Sequence, residues 1–147
     1  MKIAVGSDEC THLTDFVIEE LTNRGMELEL HGPLNEEDLQ WTEVAHKVAQ
    51  RVKEGSCDQG ILFCWTGTGV SIAANKVPGI RAALCADAQT AEGARKWNDA
   101  NVLAMSLRMT SQIVAKEILD AWFNTSPDED EKLNINKVQE IEKKYSK

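Results

Sequence analysis

Five short, largely apolar runs alternate with longer segments of helical periodicity along the 147 residues of the chain. This alternation limits the fold most strongly, because a strand that returns through a helix forms a parallel pair by a right-handed crossover. We therefore predict one α/β unit, a Rossmann-like αβα sandwich whose doubly wound sheet has five parallel strands. The predicted strands are Lys2–Gly6, Glu27–Leu30, Gly60–Cys64, Arg81–Cys85 and Val102–Met105.

The residue pattern within a strand also predicts its place in the sheet. Gly60–Cys64 is a continuous apolar run, as in a strand that is covered on both faces, and Arg81–Cys85 is interpreted as a second buried run. Glu27–Leu30 alternates charged and apolar residues with period two, as an edge strand does.

Apolar residues at helical spacing predict the intervening helices. The first contains Phe16, Val17 and Leu21 and ends at Gly25. The others are predicted at Trp41–Lys53, Ser71–Asn75, Ala88–Lys96, Ser111–Phe123 and Ile135–Tyr145.

The C-terminal part of the chain differs from the rest. We divide the chain into a domain of residues 1–125 and a segment of residues 126–147, which begins with the charged loop Pro127–Lys132. The helix that follows has only a narrow apolar stripe. Such a stripe is better suited to packing on the domain or on a partner subunit than to forming a core. The stripe consists of Ile135, Val138 and Ile141.

Acidic residues outnumber basic residues by 24 to 16, and the net charge is −8. A nucleic-acid-binding surface needs a basic face, so we expect no nucleic-acid partner. No apolar stretch approaches the ~20 residues of a membrane span, so we expect no membrane partner. The N-terminal residues enter the first predicted strand directly, without the pattern of a signal peptide, and we expect a cytoplasmic protein.

Four cysteines lie at positions 10, 57, 64 and 85, and no two form a C-x-x-C pair. This spacing gives no support to a zinc ribbon or to thioredoxin chemistry. An even number of cysteines is compatible with disulfides, but the expected compartment favours reduced thiols that are mostly buried.

Ligands of open parallel sheets bind at the carboxyl ends of the strands. The most informative end is Cys64–Gly69, which leaves a predicted strand and enters a helix. Gly67 and Gly69 allow a tight turn whose N–H groups would hold an anion or a developing oxyanion. Loop amides and the start of a helix favour the reactive form of a thiol, so Cys64 is a candidate proton-transfer base. A buried strand-end cysteine before an ordinary turn is the alternative.

Polar residues near other strand ends extend this candidate site. Asp8 follows the first strand as either a helix cap or an acceptor for a substrate hydroxyl. Arg108 follows the fifth strand and either pairs with an anion or is an ordinary surface arginine. Asn98 precedes the fifth strand, where turn chemistry alone would explain it. His12 is the one histidine expected near the site, and it is a weak candidate for a metal ligand.

Two long motifs resemble the ribose-5-phosphate isomerase B family, which also contains the subunits of galactose-6-phosphate isomerase. They are Gly60–Leu84 (GILFCWTGTGVSIAANKVPGIRAAL) and Asn98–Ala104 (NDANVLA). Lys2–Asp8 and Leu119–Trp122 fit the family as well, and the resemblance weakens after Phe123.

The resemblance implies an aldose–ketose isomerase that acts on a phosphorylated sugar through an enediolate, without a metal or an organic cofactor. Its implied catalytic residues are Cys64, which transfers the proton, together with Thr66 and Asp8. The amides of Gly67, Thr68 and Gly69 are implied to help stabilise the enediolate oxygen.

The resemblance also implies an assembly. Asn98 corresponds to a family asparagine that reaches the site of a neighbouring subunit, so we expect a homodimer or homotetramer with sites at the subunit interface. Arg108 corresponds to an arginine at the phosphate end of the site.

Several positions depart from the family pattern. Glu9 replaces a histidine, Trp65 a glycine and Trp41 a tyrosine. Trp97 replaces the histidine that opens the sugar ring. We expect these four residues to line the substrate site, although a place in the core or in an oligomer interface is the alternative for each tryptophan.

The phosphate-binding residues of the C-terminal segment are also altered. Lys137 and Leu133 stand where the family usually has two arginines, and Lys132 lies beside them. We expect Lys137 to contact the substrate, but as a point charge without the bidentate geometry of arginine.

The sequence therefore predicts an aldose–ketose isomerase of this family with poor activity on ribose 5-phosphate. Better activity is expected on a substrate that is short, already open-chain or less dependent on phosphate. A weak or inactive partner subunit of a hetero-oligomeric sugar-phosphate isomerase is the alternative, because the two histidines are missing; the retained Cys64 and Thr66 argue against it. A flavodoxin-like nucleotide binder is less favoured, since Gly6–Glu9 lacks a G-x-G-x-x-G motif.

Overall fold

The computed structural model describes residues 1–146, which form a five-stranded parallel sheet flanked by helices. The order of the strands across the sheet is β2-β1-β3-β5-β4. The predicted fold class is confirmed. The strands are β1 (Lys2–Ser7), β2 (Glu27–His31), β3 (Gln59–Cys64), β4 (Ala82–Leu84) and β5 (Val102–Ser106).

Helices cover both faces of the sheet, as the crossover rule requires. One apolar layer joins α1, α4 and α5 to the sheet, and a second joins α2 and α3 to its other face. The helices are α1 (His12–Asn23), α2 (Trp41–Lys53), α3 (Thr68–Ala74), α4 (Ala88–Asn98), α5 (Gln112–Phe123) and α6 (Lys132–Tyr145).

The prediction of a buried fourth strand is wrong. β4 pairs only with β5 and lies at an edge of the sheet, so Leu84 is 38% exposed. Its outer edge is partly closed by Asn75, whose Nδ2 donates to the Ala82 carbonyl at 3.0 Å and whose Oδ1 accepts from the Ala82 amide at 2.8 Å. The edge position predicted for β2 is confirmed.

The C-terminal helix starts earlier than predicted and is loosely attached. The charged loop contains a 3-10 turn at Glu129–Glu131, and α6 begins at Lys132 directly after it. Ile135 is the one buried residue of α6. The Glu142 carboxylate accepts a hydrogen bond from the Gly79 amide, with N···O distances of 3.0 and 3.1 Å. Most of the apolar stripe therefore faces open space beside β4.

Cys57, Cys64 and Cys85 are buried free thiols, and Cys10 is an exposed one. Burial raises the pKa of Cys85 to about 12. None of the helices in residues 1–146 combines the length and the apolar character needed to cross a bilayer.

Candidate active site

The candidate site is built on the carboxyl ends of three neighbouring strands. Ser7 of β1 is in register with Phe63 of β3, and Cys64 is in register with Ser106 of β5. Asp8 therefore leaves the sheet next to Cys64, since neighbouring strands lie about 4.8 Å apart. The Cys64 side chain is only 6% exposed, so its thiol lies at the floor of this edge.

The turn after Cys64 is held closely against the ends of β4 and β5. Gly67 has φ +77°, and a Cβ atom there would lie 2.6 Å from Leu84 Cδ1 and 2.9 Å from the Met105 carbonyl carbon. Only glycine fits this conformation and this space. Thr66 and Thr68 flank it with exposed side chains, and their hydroxyl oxygens are 2.6 Å apart. The turn thus presents two hydroxyls and its amides beside a buried thiol.

The segment after β5 is tied to the same turn. The Ser106 hydroxyl donates to the Trp65 carbonyl at 2.9 Å and accepts from the Met109 amide at 3.1 Å. The Arg108 amide also donates to the Trp65 carbonyl, at 3.1 Å. The exposed side chains of Arg108 and Trp65 therefore project from two backbone segments that are hydrogen-bonded to each other.

Asp8 is not a helix cap. Thr11 caps α1 through its side chain, in a capping box with Thr14. Asp8 Oδ1 is buried, and within residues 1–146 it has no hydrogen-bond partner. Burial, together with the neighbouring charge of Glu9, raises the pKa of Asp8. A buried carboxylate oxygen without a partner is costly, so this atom is a candidate acceptor for a ligand hydroxyl.

Two tryptophans belong to this side of the molecule. Trp65 is part of the turn itself and is 59% exposed. Trp41 begins α2, and its ring lies against the start of α3, because a Cβ atom on Gly69 would be 2.8 Å from the ring. The indole of Trp41 therefore borders the loop that follows Cys64.

Trp97 and Asn98 lie elsewhere. They line a groove of about 640 Å³ between β4, the end of α4 and α6, and no residue of the 64–69 turn lines that groove. Trp97 is 54% exposed, and its ring packs over Gly93, where a Cβ atom would be 2.8 Å away. The groove also contains the apolar side chains of α6. We call it the α6 groove.

The remaining predicted residues are exposed. Glu9 follows Asp8 at the edge of the sheet, and His12 begins α1. Lys137 lies on α6 but does not line the α6 groove. A single chain therefore carries Asp8, Glu9, Trp41, residues 64–69 and Arg108 on one side, and Trp97 and Asn98 on another.

Sequence reasoning missed two serines that shape the site. Ser7 is fully buried, and its hydroxyl donates to the Glu9 carbonyl at 2.6 Å and accepts from the Glu9 amide at 3.2 Å. Ser106 performs the corresponding task after β5. A small hydroxyl residue that ends an apolar strand is the available signal, because such side chains bond to nearby backbone groups in turns.

Within residues 1–146, no three His, Cys, Asp or Glu side chains are grouped so that they could hold a metal ion.

The chain as a whole matches a known family of sugar isomerases. The family model described as "Ribose/Galactose Isomerase" matches residues 3–141. The chain therefore belongs to the ribose/galactose isomerase family, as the two sequence motifs predicted.

Proteins that are similar to this chain are named for different sugars. Ribose-5-phosphate isomerase B of Escherichia coli K12 is 41% identical over 122 residues, which cover 82% of this chain and 82% of that protein. D-erythrulose-4-phosphate isomerase of Pectobacterium atrosepticum is 38% identical over 127 residues, covering 84% and 83%. 4-deoxy-4-sulfo-D-erythrose isomerase of Clostridium sp. MSTE9 is 35% identical over 127 residues, covering 85% and 80%.

A solved structure shows the same fold throughout. Ribose-5-phosphate isomerase B of Clostridium thermocellum superposes with a TM-score of 0.90 at 42% identity, covering 99% of this chain and 100% of that one. The similarity to the family therefore covers the complete arrangement of strands and helices as well as the sequence motifs.

Proposed function

We propose that the protein is an aldose–ketose isomerase whose preferred substrate is a four-carbon sugar phosphate. The main observation is the buried Cys64 thiol beside Asp8, at the start of a turn that presents two hydroxyls and its amides. Asp8 Oδ1 has no hydrogen-bond partner among residues 1–146. This set of groups suits one reaction type: removal of a proton next to a carbonyl, with the negative charge held on oxygen.

In the proposed reaction, the Cys64 thiolate removes the proton from C2 of the open-chain aldose. The electron pair moves into a C1–C2 double bond, and the aldehyde oxygen takes the negative charge of an enediolate. The amides of residues 66–69 and the Thr66 hydroxyl stabilise that oxygen. The protonated thiol then returns the proton to C1, and the proton of the C2 hydroxyl passes to O1. The product is the ketose, with its carbonyl at C2.

Asp8 supports this reaction as an acceptor. Its buried Oδ1 takes the hydrogen bond of a substrate hydroxyl, which supplies the partner that the protein itself does not. Binding of substrate therefore removes a cost that the free enzyme carries. Arg108 and Lys137 are the proposed contacts for the anionic end of the sugar, with Glu9 and His12 at the rim.

We propose that the complete site needs two chains. Cys64 and Asn98 lie on separate surfaces of one chain, and the α6 groove next to Asn98 leaves Val138 and Ile141 exposed. A homodimer would cover this apolar stripe and would place Asn98 against the Cys64 turn of the neighbouring subunit. Pairs of such dimers would form the homotetramer.

The short substrate follows from the side chains at both surfaces. An indole at position 97 has no group that passes a proton to a ring oxygen, so opening of a pentose ring would be unassisted. Trp41 and Trp65 add bulk beside the turn. Separately from sugar length, loss of one phosphate-binding arginine at position 133 weakens binding of any sugar phosphate by about 1.5–3 kcal/mol, the range for hydrogen bonds to charged groups. This corresponds to roughly one to two decades in affinity.

Some relatives have shorter substrates in their names, although those named for ribose 5-phosphate are slightly more similar to this chain. Two of the relatives carry the names of four-carbon substrates, and one of those substrates is a sulfonate rather than a phosphate. A change of sugar length and of anionic group is therefore compatible with this fold and with this level of identity.

The test compares kcat/KM for erythrose 4-phosphate or erythrulose 4-phosphate with that for ribose 5-phosphate. We expect a preference of about tenfold or more for the tetrose phosphates, because ribose 5-phosphate needs its ring opened and a missing general acid costs at least this much. If ribose 5-phosphate is better by tenfold, the interpretation of Trp97 is wrong. If the purified chain isomerises none of them, a partner-subunit role replaces the enzymatic one.

Trp97→His examines the ring-opening argument directly. We expect it to raise kcat/KM for ribose 5-phosphate, which closes to a furanose, and to leave the tetrose 4-phosphates nearly unchanged, because their O4 carries the phosphate and cannot close that ring. Trp97→Phe is the matched control, because it removes the indole without adding a group that carries a proton. An equal gain in both variants would assign the effect to side-chain size.

A further inference from the structure

The turn that carries Asn98 departs from two local preferences of helix ends. Asp99 follows the last turn of α4 with φ 46° and ψ 45°, a left-handed conformation in which glycine or asparagine is usual. It also places a carboxylate at the negative end of the helix dipole. Two such departures at one residue indicate that the side chain has a task beyond ending the helix.

Two arginines from different elements compensate for this placement. Arg95 Nη1 lies 3.2 Å from Asp99 Oδ1 and donates to the Ala100 carbonyl at 2.6 Å. Arg81 Nε donates to the Asp99 carbonyl at 2.8 Å, and its Nη2 lies 3.4 Å from Oδ2. The Arg95 and Arg81 side chains are only 12% and 18% exposed. Asp99 thus links the end of α4 to the residue that precedes β4.

The arginines are in turn held by the core. The Arg95 guanidinium lies over the ring of the buried Trp122, 5.5 Å from its centroid. Trp122 Nε1 donates to Gln59 Oε1 of β3 at 2.9 Å. On the other side, the Arg81 amide donates to Asn101 Oδ1 at 2.8 Å. The backbone at Asp99 is therefore anchored to the sheet through both partners.

Asn98 directly precedes this anchored residue and is exposed. Its side chain is not packed in the core, so its direction is set by the backbone of the turn. We propose that Asp99, clamped between Arg81 and Arg95, is a positioning residue that holds Asn98 in the direction in which its amide reaches the substrate bound to the partner subunit. The inference rests on the proposed function, which assigns Asn98 to that contact.

The first experiment uses Asp99→Gly, which keeps the left-handed backbone accessible and removes both ion pairs. Glu36→Gly is the matched control, because Glu36 is the other non-glycine residue of 1–146 with positive φ, at 58°. We expect Asp99→Gly to lower kcat/KM about ten- to a hundredfold, as small misplacements of substrate contacts do. Glu36→Gly should leave it unchanged. Asparagine tolerates this conformation, so the kcat/KM of Asp99→Asn should lie between the values of the two glycine variants. Asp99→Asn replaces Asp99→Gly in the experiment if Asp99→Gly does not fold.

A double-mutant cycle separates positioning from general support of the fold. In the Asn98→Ala background the same Asp99→Gly change should cost less than about threefold, because the residue it acts through is absent. An equal factor in both backgrounds overturns the proposal.

A second readout does not depend on turnover. In two-dimensional ¹H–¹⁵N spectra, the side-chain amide signal of Asn98 should shift in Asp99→Gly and stay in place in Glu36→Gly. An unmoved signal overturns the positioning role, even in an active enzyme. Absence of isomerase activity in the wild-type chain would instead count against the proposed function, and the spectra would still decide whether Asp99 orients Asn98.

Discussion

The turn after Cys64 and the α6 groove both border β4, and they are built in different ways. The turn is closed by its own chain: Gly67 touches Leu84 and Met105, and Ser106 and Arg108 are bonded to Trp65. The groove is open, with about 640 Å³ of space between β4, Trp97 and α6. In the turn, contacts within one chain fix the positions of the functional groups. In the groove, apolar and polar side chains stay exposed in a single chain.

This difference separates two kinds of functional residue. Cys64 and the turn amides sit at the ends of hydrogen-bonded parallel strands, so packing of a single chain is sufficient to place them. Asn98 and Trp97 project from a helix end into the groove, so their use depends on what covers that groove.

The largest expected effect concerns the closed region. Cys64→Ala should lower kcat by about 10²–10⁴-fold, the usual contribution of a positioned base, with little change in substrate binding. Exchange of the substrate C2 proton with solvent should disappear as well. Cys57→Ala is the matched control, because this buried thiol lies before the opposite end of the same strand and should keep full activity. Undiminished exchange in Cys64→Ala would assign the base to Glu9 or Asp8.

The second prediction tests whether the two regions meet only between subunits. The Cys64→Ala variant and the Asn98→Ala variant should each be nearly inactive when expressed alone. When the two variants are co-expressed, activity should recover to about a quarter of the wild-type value. Half of the dimers are then mixed, and each has one intact composite site. Cys64→Ala co-expressed with the Cys64→Ala/Asn98→Ala double variant provides the control and should not recover. Failure of the mixed pair to recover, or a fully active monomer in sedimentation, would place both residues in one chain's site.

The third prediction concerns the unpartnered Asp8. Its pKa is raised above the ordinary 3.8 by burial and by Glu9, so ionisation of Asp8 destabilises the folded state. Asp8→Asn should therefore lose activity but unfold at a higher temperature at neutral pH. This advantage should be absent below 3.8, grow as the pH rises through the raised pKa of Asp8, and persist above it. An equal gain in stability at all pH values would show that the charge of Asp8 is not its cause.

The smallest effect is expected far from both regions, at Glu29 on β2. Arg51 holds this carboxylate with hydrogen bonds of 2.6 and 2.9 Å, and His31 adds a contact of 2.9 Å. The hydrogen bonds from Arg51 are the main reason that the pKa of Glu29 is lowered from 4.5 to about 2. Glu29→Gln should lower the melting temperature by a few degrees and leave kcat/KM unchanged.

The pH dependence of that loss has a defined sign. The stabilisation from Glu29 is complete above 4.5 and disappears as the pH falls toward 2, so the two proteins should converge in acid. Glu27→Gln is the control, since Glu27 is largely exposed and has a single ion pair at 3.8 Å to Lys2. Equal losses for Glu29→Gln and Glu27→Gln would mean that the Arg51 contacts add nothing.

Most elements of the fold were predictable from local pattern. The periodicity of Trp41–Lys53 and the apolar run that ends at Cys64 each led to the correct element, because amphipathic helices and buried strands have distinct spacings. The tight turn at Gly67 was also predictable, since glycine tolerates positive φ. The buried state of β4 was predicted wrongly, because a short apolar run does not show how many neighbours its strand will have.

The amino-acid sequence by itself determined which segments become strands and helices and which side chains stand at the carboxyl ends of the strands, because both depend on neighbours along the chain. Only the tertiary structure decided that β4 is an edge, that Asp8 Oδ1 has no partner within residues 1–146, and that Asn98 faces the α6 groove rather than Cys64. Those features depend on contacts between residues that are far apart in the sequence. The clamp of Arg81 and Arg95 on Asp99 is of the same kind, since it forms only when the residue before β4 comes close to the end of α4.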